Sequence, residues 1–259
     1  MAMDLHPLDT GELIDRTFSL YRKHFLIFTG IVAIPQLVAF LIRLGVIGAL
    51  SAGSVVGSLL MSLLALVVNL IVYAVSQGAT VAAVSDVYLD RPTSIGKAYA
   101  DSKGKLLNIL FASIFISVAT GFGFILLIVP GVIWMTAWSL AIPSVVMENM
   151  TPIDAMKRSW ALTKDGRGRI LLAMILVGIL IFIISLVCQV PGMAMAGLAG
   201  MVNMGAASVV SQIVLQIGTF IANCVTVPLL AIAMSLIYYD QRVRKEGFDL
   251  QVMLSSLEK

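Results

Sequence analysis

Residues 170–239 read ILLAMILVGILIFIISLVCQVPGMAMAGLAGMVNMGAASVVSQIVLQIGTFIANCVTVPLLAIAMSLIYY, 70 residues without one Asp, Glu, Lys or Arg. A bilayer core about 30 Å thick is crossed by roughly 20 helical residues, so this stretch is too long for one span. It reads as an out-and-back helical pair with a turn on the far side. Residues 44–85 and 106–147, 42 each, are equally free of charge. The charged residues gather instead in two islands, residues 86–105 and 148–169, and at the two ends of the chain. That partition predicts an all-α polytopic protein, a transmembrane helical bundle.

Composition agrees. Hydrophobic residues are 59% of the 259 and charged residues 12%, about half the charged share of a soluble domain. A soluble protein with buried helices needs polar faces to cover its surface, and none occur between the islands. Of the 17 Lys and Arg, only Arg43 lies outside the islands and the chain ends; it is expected at the far interface, where its stem can snorkel. Cytoplasmic loops of inner-membrane proteins collect Lys and Arg. Both termini and both islands are therefore expected in the cytoplasm of a bacterial inner (plasma) membrane protein. That requires an even number of spans between neighbouring islands, and six is the simplest count: residues 25–44, 58–85, 106–127, 132–147, 170–190 and 207–239. The far-side connections are then residues 45–57, a tight turn around Pro130-Gly131, and residues 191–206 as a re-entrant or packed segment. The polar, acidic start lacks the pattern of a cleavable signal, so Phe25 onward is expected to act as an uncleaved first span. Cys188 and Cys224 sit inside apolar segments and read as structural.

A short amphipathic segment precedes each span pair, which divides the single membrane domain into repeat-like units 8–90, 91–149 and 150–250. Ile14-Asp15-Arg16-Thr17-Phe18-Ser19-Leu20 and Met156-Lys157-Arg158-Ser159-Trp160-Ala161-Leu162 share apolar, charged, Arg, hydroxyl, aromatic, small and Leu in order. The middle copy, aligned over residues 93–99, loses the arginine. Thr10 and Thr151 are N-cap candidates, followed by Glu12 and Asp154 in the first turn. Such helices lie in the headgroup plane rather than crossing it.

Five stretches carry a family resemblance: LDTGELIDRTFSLYRKHF (8–25), SDVYLDRPTSIGKAY (85–99), IVPGVIW (128–134), AIPSVVMENMTPIDAMKRSWALTK (141–164) and YYDQRVRKEGFDL (238–250). They resemble the bacterial membrane family named for the membrane domain of glycerophosphoryl diester phosphodiesterase, over nearly the whole chain. The resemblance implies a helical inner-membrane fold with several spans. The phosphodiesterase chemistry of the family name belongs to a separate soluble barrel with catalytic His, Glu and a metal site. This chain has only His6 and His24, so that activity transfers to no residue here.

A search for chemistry on the residues themselves finds little. Ser-His-Asp catalysis needs a base beside its nucleophile, zinc needs clustered Cys and His, and a P-loop needs its Lys-Ser/Thr ending, which Gly166-Arg167-Gly168-Arg169 lacks. The expectation is a non-enzymatic protein without a cofactor, metal or nucleic-acid partner. Ion-coupled transport uses ionisable groups at depth, and only Arg43 is offered. The intramembrane amides Asn69, Gln77, Gln189, Asn203, Gln212, Gln216 and Asn223, and the prolines Pro35, Pro130, Pro143 and Pro228, fit helix packing and kinks as well as they fit a pathway. Met193, Met195, Met201 and Met204 offer thioethers to Cu(I), but among glycines and alanines they read as a close-packing segment. Gly53 and Gly57 read as a helix contact.

The remaining pattern lies on the cytoplasmic face. Arg16 and Arg158 are expected to pair with the span-exit acids Asp86, Asp90, Glu148 and Asp240 and so dock the surface helices beneath the bundle. Arg22, Lys23, Lys103, Lys105, Lys157, Lys164, Arg167 and Arg169 are expected to face anionic headgroups of the lipid bilayer. The leading functional expectation is a scaffold or lipid-interacting component, with a protein partner on the same face left open. The alternative is a transporter or channel for a small or lipidic solute.

Overall fold

The computed structural model describes residues 9–51, 55–202 and 205–247, and among them the secondary structure is helical with no strand. The helices are α1 (Thr10–Lys23), α2 (Phe25–Ser51), α3 (Val55–Tyr88), α4 (Ile95–Lys103), α5 (Leu106–Leu126), α6 (Ile128–Trp138), α7 (Ala141–Glu148), α8 (Pro152–Thr163), α9 (Arg167–Val202) and α10 (Gly205–Glu246). Six stretches are long and apolar enough to cross a membrane: Phe25–Leu50, Val55–Tyr88, Leu106–Leu126, Ile128–Glu148, Arg167–Ala199 and Val209–Glu246. The short helices α1, α4 and α8 each precede a pair of these.

The start of each short helix fixes which face it buries. Ser94 caps α4 by accepting from the Lys97 N–H, and Thr151 caps α8 by accepting from the Asp154 N–H. In α1 the cap is Asp9, not Thr10, and its side chain makes no capping bond. Four and eight residues past the cap lie Leu13 and Thr17, Ala98 and Ser102, and Ala155 and Ser159, all buried. That spacing puts both positions of each pair on one helical face. In this register Asp101 stands where α1 has Arg16 and α8 has Arg158. The alignment through residues 93–99 is therefore displaced, because the helix start, not side-chain type, decides the buried face.

The outer spans run further than the sequence suggests. The described residues of the expected connection at 45–57 are helical; residues 52–54, with Gly53, lie outside the described residues. The expected re-entrant segment 191–206 is helix up to Val202 and again from Gly205, and Asn203 and Met204 lie outside the described residues. Helix α9 passes straight through Pro191. A proline forfeits a backbone bond, but here α10 lies hard against the helix. A Cβ on Gly192 would fall 2.7 Å from the Leu215 nitrogen, and one on Gly218 would collide with the Cys188 carbonyl oxygen. Small residues let the two backbones touch. At 1.5 Å per residue α9 is about 54 Å long and α5 only about 32 Å.

The α5–α6 turn is one extended residue, Leu127 (φ −165, ψ 153), rather than Pro130-Gly131. Pro130 is the third residue of α6, in the first turn, where backbone N–H groups have no intrahelical partner anyway. Gly131 crosses Gly123 so closely that a Cβ on Gly123 would lie 3.0 Å from the Gly131 Cα. The fourth span then breaks at Ser139-Leu140, and Pro143 occupies the first turn of α7. Ser159 of α8 stitches the break: its Oγ donates to the Ala137 carbonyl (2.7 Å) and accepts from the Leu140 N–H (3.1 Å). Thr163 adds a bond to the same carbonyl at 3.3 Å.

The packed core sits toward the charged end of the bundle. Phe28 and Ile31 of α2, Ala79 and Ala83 of α3, and Leu229, Ile232, Leu236 and Tyr238 of α10 are buried there together. Away from that end the helices pair but expose apolar side chains such as Val55, Leu60 and Met201.

Candidate functional site

The last two turns of α10 organise the charged end. Residues 238–246 read YYDQRVRKE, and the 3.6-residue period sorts them into three stripes. Tyr238, Arg242 and Glu246 form one, Asp240 and Arg244 the second, and Gln241 and Lys245 the third.

The first stripe meets α7 and α8. Arg158 donates to both oxygens of Glu148 at 2.9 to 3.1 Å and to both oxygens of Glu246, the longer bond being 2.9 Å. Glu148 also accepts from the Tyr238 hydroxyl. Arg242 closes the cluster, 3.1 Å from Glu246 and 3.9 Å from Glu148. Two carboxylates and two guanidiniums leave no net charge. The Glu246 hydrogen bond, helped by Glu148 and opposed by burial, raises the Arg158 pKa still further, so this guanidinium stays charged.

On the second stripe, Asp240 is fully enclosed and held between Arg169, at the start of α9, and Arg244 at 3.0 Å. Gln241 of the third stripe, its amide placed so that both ends are satisfied, donates to the Leu162 carbonyl (3.1 Å) and accepts from Arg169 (2.7 Å). Lys245 reaches Asp165 at 2.7 Å and the Ala161 carbonyl at 3.0 Å; its hydrogen bond and charge lower the Asp165 pKa. Tyr239 stacks on Tyr88 with centroids 4.6 Å apart and shares a 2.8 Å hydrogen bond with Ser85. The α10 terminus thus fastens α3, α7, α8 and α9 at once.

The sequence-predicted residues distribute unevenly around this hub. Glu148 and Arg158 come together. Asp86 pairs with Lys97 of α4 at 2.7 Å, and Asp240 with Arg169 and Arg244. Asp90 takes a left-handed turn conformation (φ 56), matching Asn149 (φ 53) before α8. Short polar side chains tolerate that conformation. Arg16 pairs with Glu12, one helical turn away in its own helix, at 2.9 Å, and also hydrogen-bonds the Tyr88 hydroxyl of α3.

Of the cations assigned to headgroups, Arg22, Lys23, Lys103, Lys157 and Lys164 are exposed. Three are engaged within the protein instead. Arg169 binds Asp240, Lys105 donates to the Val146 carbonyl at 2.5 Å, and Arg167 lies 4.2 Å above the Trp160 ring. Each has a protein acceptor or π face within reach, which outweighs exposure. The sequence reading missed Tyr238, Arg242, Arg244, Lys245 and Glu246, although their four-residue spacing was visible.

Inside the bundle Arg43 donates to Asn69 at 2.6 Å. It lies eighteen residues into α2, about 27 Å from the helix start and so close to one full core thickness. Asn223 meets Gln36 at 3.5 Å. A cavity of about 190 Å³, lined by Tyr73, Gln77, Ser139 and Met234 among others, sits beside the break in the fourth span. A larger groove of about 980 Å³ runs between α5, α6 and α8. Among the described residues no three His, Cys, Asp or Glu side chains gather as a metal would require. Compared with protein-family models, with characterised proteins and with solved structures, the chain matches none.

Proposed function

We propose that this chain is a non-enzymatic, lipid-interacting scaffold of the bacterial inner membrane, with both termini in the cytoplasm and anionic headgroups as its partners. It is built from three repeats of a surface helix and a helical hairpin, and is related to the family named for the membrane domain of glycerophosphoryl diester phosphodiesterase. One observation carries the reading. Asp86, Glu148, Asp240 and Glu246 are each held by Lys or Arg at one end of the bundle. Exposed cations at that same end remain for the membrane or for a protein partner. Ionic clusters of this kind fix geometry more than they supply reactivity. The matching buried positions of α1, α4 and α8 support the repeat.

Orientation is tested by single cysteines at Lys103 and Lys164. An impermeant thiol reagent is expected to label them only after cells are opened, and labelling from the periplasm refutes the topology. Reconstitution into liposomes tests the role. A scaffold moves neither solute nor lipid, so flux or scrambling above that of empty liposomes refutes it. Such a result would favour the transporter or channel reading, which draws on the broken fourth span and its adjoining cavity; broken helices mark substrate sites in transporters.

A further inference from the structure

We infer that the groove between α5, α6 and α8 is a binding site for one anionic glycerophospholipid, with an acyl chain along α5 and the phosphate at the end of α8. The inference rests on the lipid-interacting reading above and deepens it. The groove is walled by three helices. Phe115, Val118 and Phe122 recur at helical spacing on one face of α5 and line it. They lie about 14 to 24 Å along that helix from its charged-end start, the depth an acyl chain reaches. Trp138 and Trp160, 6.3 Å apart, line it from α6 and α8. Its volume, about 980 Å³, stands at the top of the range of roughly 300–1,000 Å³ for small-molecule sites.

Charge selects the occupant. Lys157, Trp160 and Lys164 follow one another at i, i+3 and i+7, hence on one face of α8. Lys157 lines the groove itself. Arg167 covers the Trp160 ring and, among the described residues, makes no ion pair. Two acids lie nearby in sequence: Asp154, 3.7 Å from Lys157 and largely exposed, and Asp165, already paired with Lys245. Two exposed lysines flanking one tryptophan at the lip of an apolar channel suit a phosphate diester carrying a hydrocarbon tail, and basic pockets of this kind bind lipid headgroups. A zwitterionic lipid would bring its own cation to the same lip, and a free headgroup would leave the groove unfilled.

The test uses delipidated full-length protein in mild detergent, read by native mass spectrometry and thermal shift. Phosphatidylglycerol is compared with phosphatidylcholine of identical chains, and with soluble glycerophosphoglycerol. The expected result is retention of phosphatidylglycerol at least tenfold better than phosphatidylcholine, with no competition from the soluble headgroup. K157Q/K164Q, both at exposed positions, should cut that preference about tenfold. Ala119→Trp, which fills the groove, should weaken both lipids while the helical circular dichroism is unchanged. Equal retention of the two lipids, full competition by the headgroup, or a preference unmoved by K157Q/K164Q would each overturn the site. If the preference instead follows R22Q/K23Q/K103Q, this site is wrong while the general lipid reading stands. Lipid scrambling by the protein would sink the scaffold reading and leave the site intact.

Discussion

Ser159→Ala should open the joint in the fourth span. Ser159 is fully buried, and its hydroxyl serves both backbone groups freed by the break after Trp138. The substitution removes only an oxygen, so packing volume barely changes. The Ala137 carbonyl keeps a longer bond from Thr163, at 3.3 Å. The Leu140 N–H loses its bond to Ser159 and cannot reach water, and a buried donor without an acceptor costs about 1–3 kcal/mol. We expect about 2–3 kcal/mol for Ser159→Ala and under about 1 kcal/mol for Thr163→Val, which removes only the weaker bond. Ser159→Cys, with a weaker donor and acceptor of similar size, should fall between them. The chain has 3 Trp residues, Trp134, Trp138 and Trp160, and all flank this joint. Successive ring centroids lie 5.6 and 6.3 Å apart. Tryptophan emission therefore reports the joint, while far-ultraviolet circular dichroism reports the whole bundle. In a detergent titration the emission change of Ser159→Ala should precede the loss of helix. A Ser159→Ala protein within about 0.5 kcal/mol of the parent, with unchanged emission, would show that the hydroxyl does not hold the break.

Arg158→Met leaves Glu148 and Glu246 facing each other with reduced compensation, and should cost about 2–4 kcal/mol in detergent unfolding. Adding Glu148→Gln and Glu246→Gln should recover most of that loss, and an additive triple variant would refute the cluster. Burial pushes the Tyr99 phenol from 10.0 up to about 12, and its hydroxyl donates to the Ile31 carbonyl. A raised folded-state value means this contribution is complete below pH 10 and disappears as the pH climbs toward 12. Spectrophotometric titration near 295 nm should show a late phenolate step that Tyr99→Phe abolishes; an unchanged titration curve refutes the assignment. Gly218→Ala drives a methyl group against the Cys188 carbonyl and should lower the midpoint of thermal unfolding sharply. Gly197→Ala meets nothing within 4 Å and should be neutral or stabilising by up to about 1 kcal/mol. Equal midpoints for the two variants would contradict the close α9–α10 contact.

The charge-free stretches revealed the six spans because in hydrocarbon an unbroken apolar segment satisfies its backbone within itself only as a helix. The short helices were legible for a similar local reason. Thr151-Pro152 with Asp154 is a start signal that needs no tertiary information. Span lengths were not legible. The sequence reading stopped α9 near Pro191, whereas the Gly192 and Gly218 contacts carry the helix past it. Pro130 marked the right neighbourhood but the wrong residue, since a first-turn proline starts a helix as readily as it ends one. The ion pairs were legible only in part. Arg158 and Glu148 lie ten positions apart across one short loop. Arg169 and Asp240 are 71 positions apart, and nothing local ties them. The stripes of residues 238–246 were present as a period, but their meaning depended on which helices converge there.

The three hairpins have unequal reach, and a flat membrane cannot suit them all. The arm made by α5 and α6 turns back after about 32 Å, whereas α9 continues for about 54 Å with apolar side chains nearly to its tip. Lipids beside the short arm keep about their ordinary thickness, and those beside the long arm must stretch or meet a leaning helix. The molecule therefore carries a built-in thickness gradient around its perimeter.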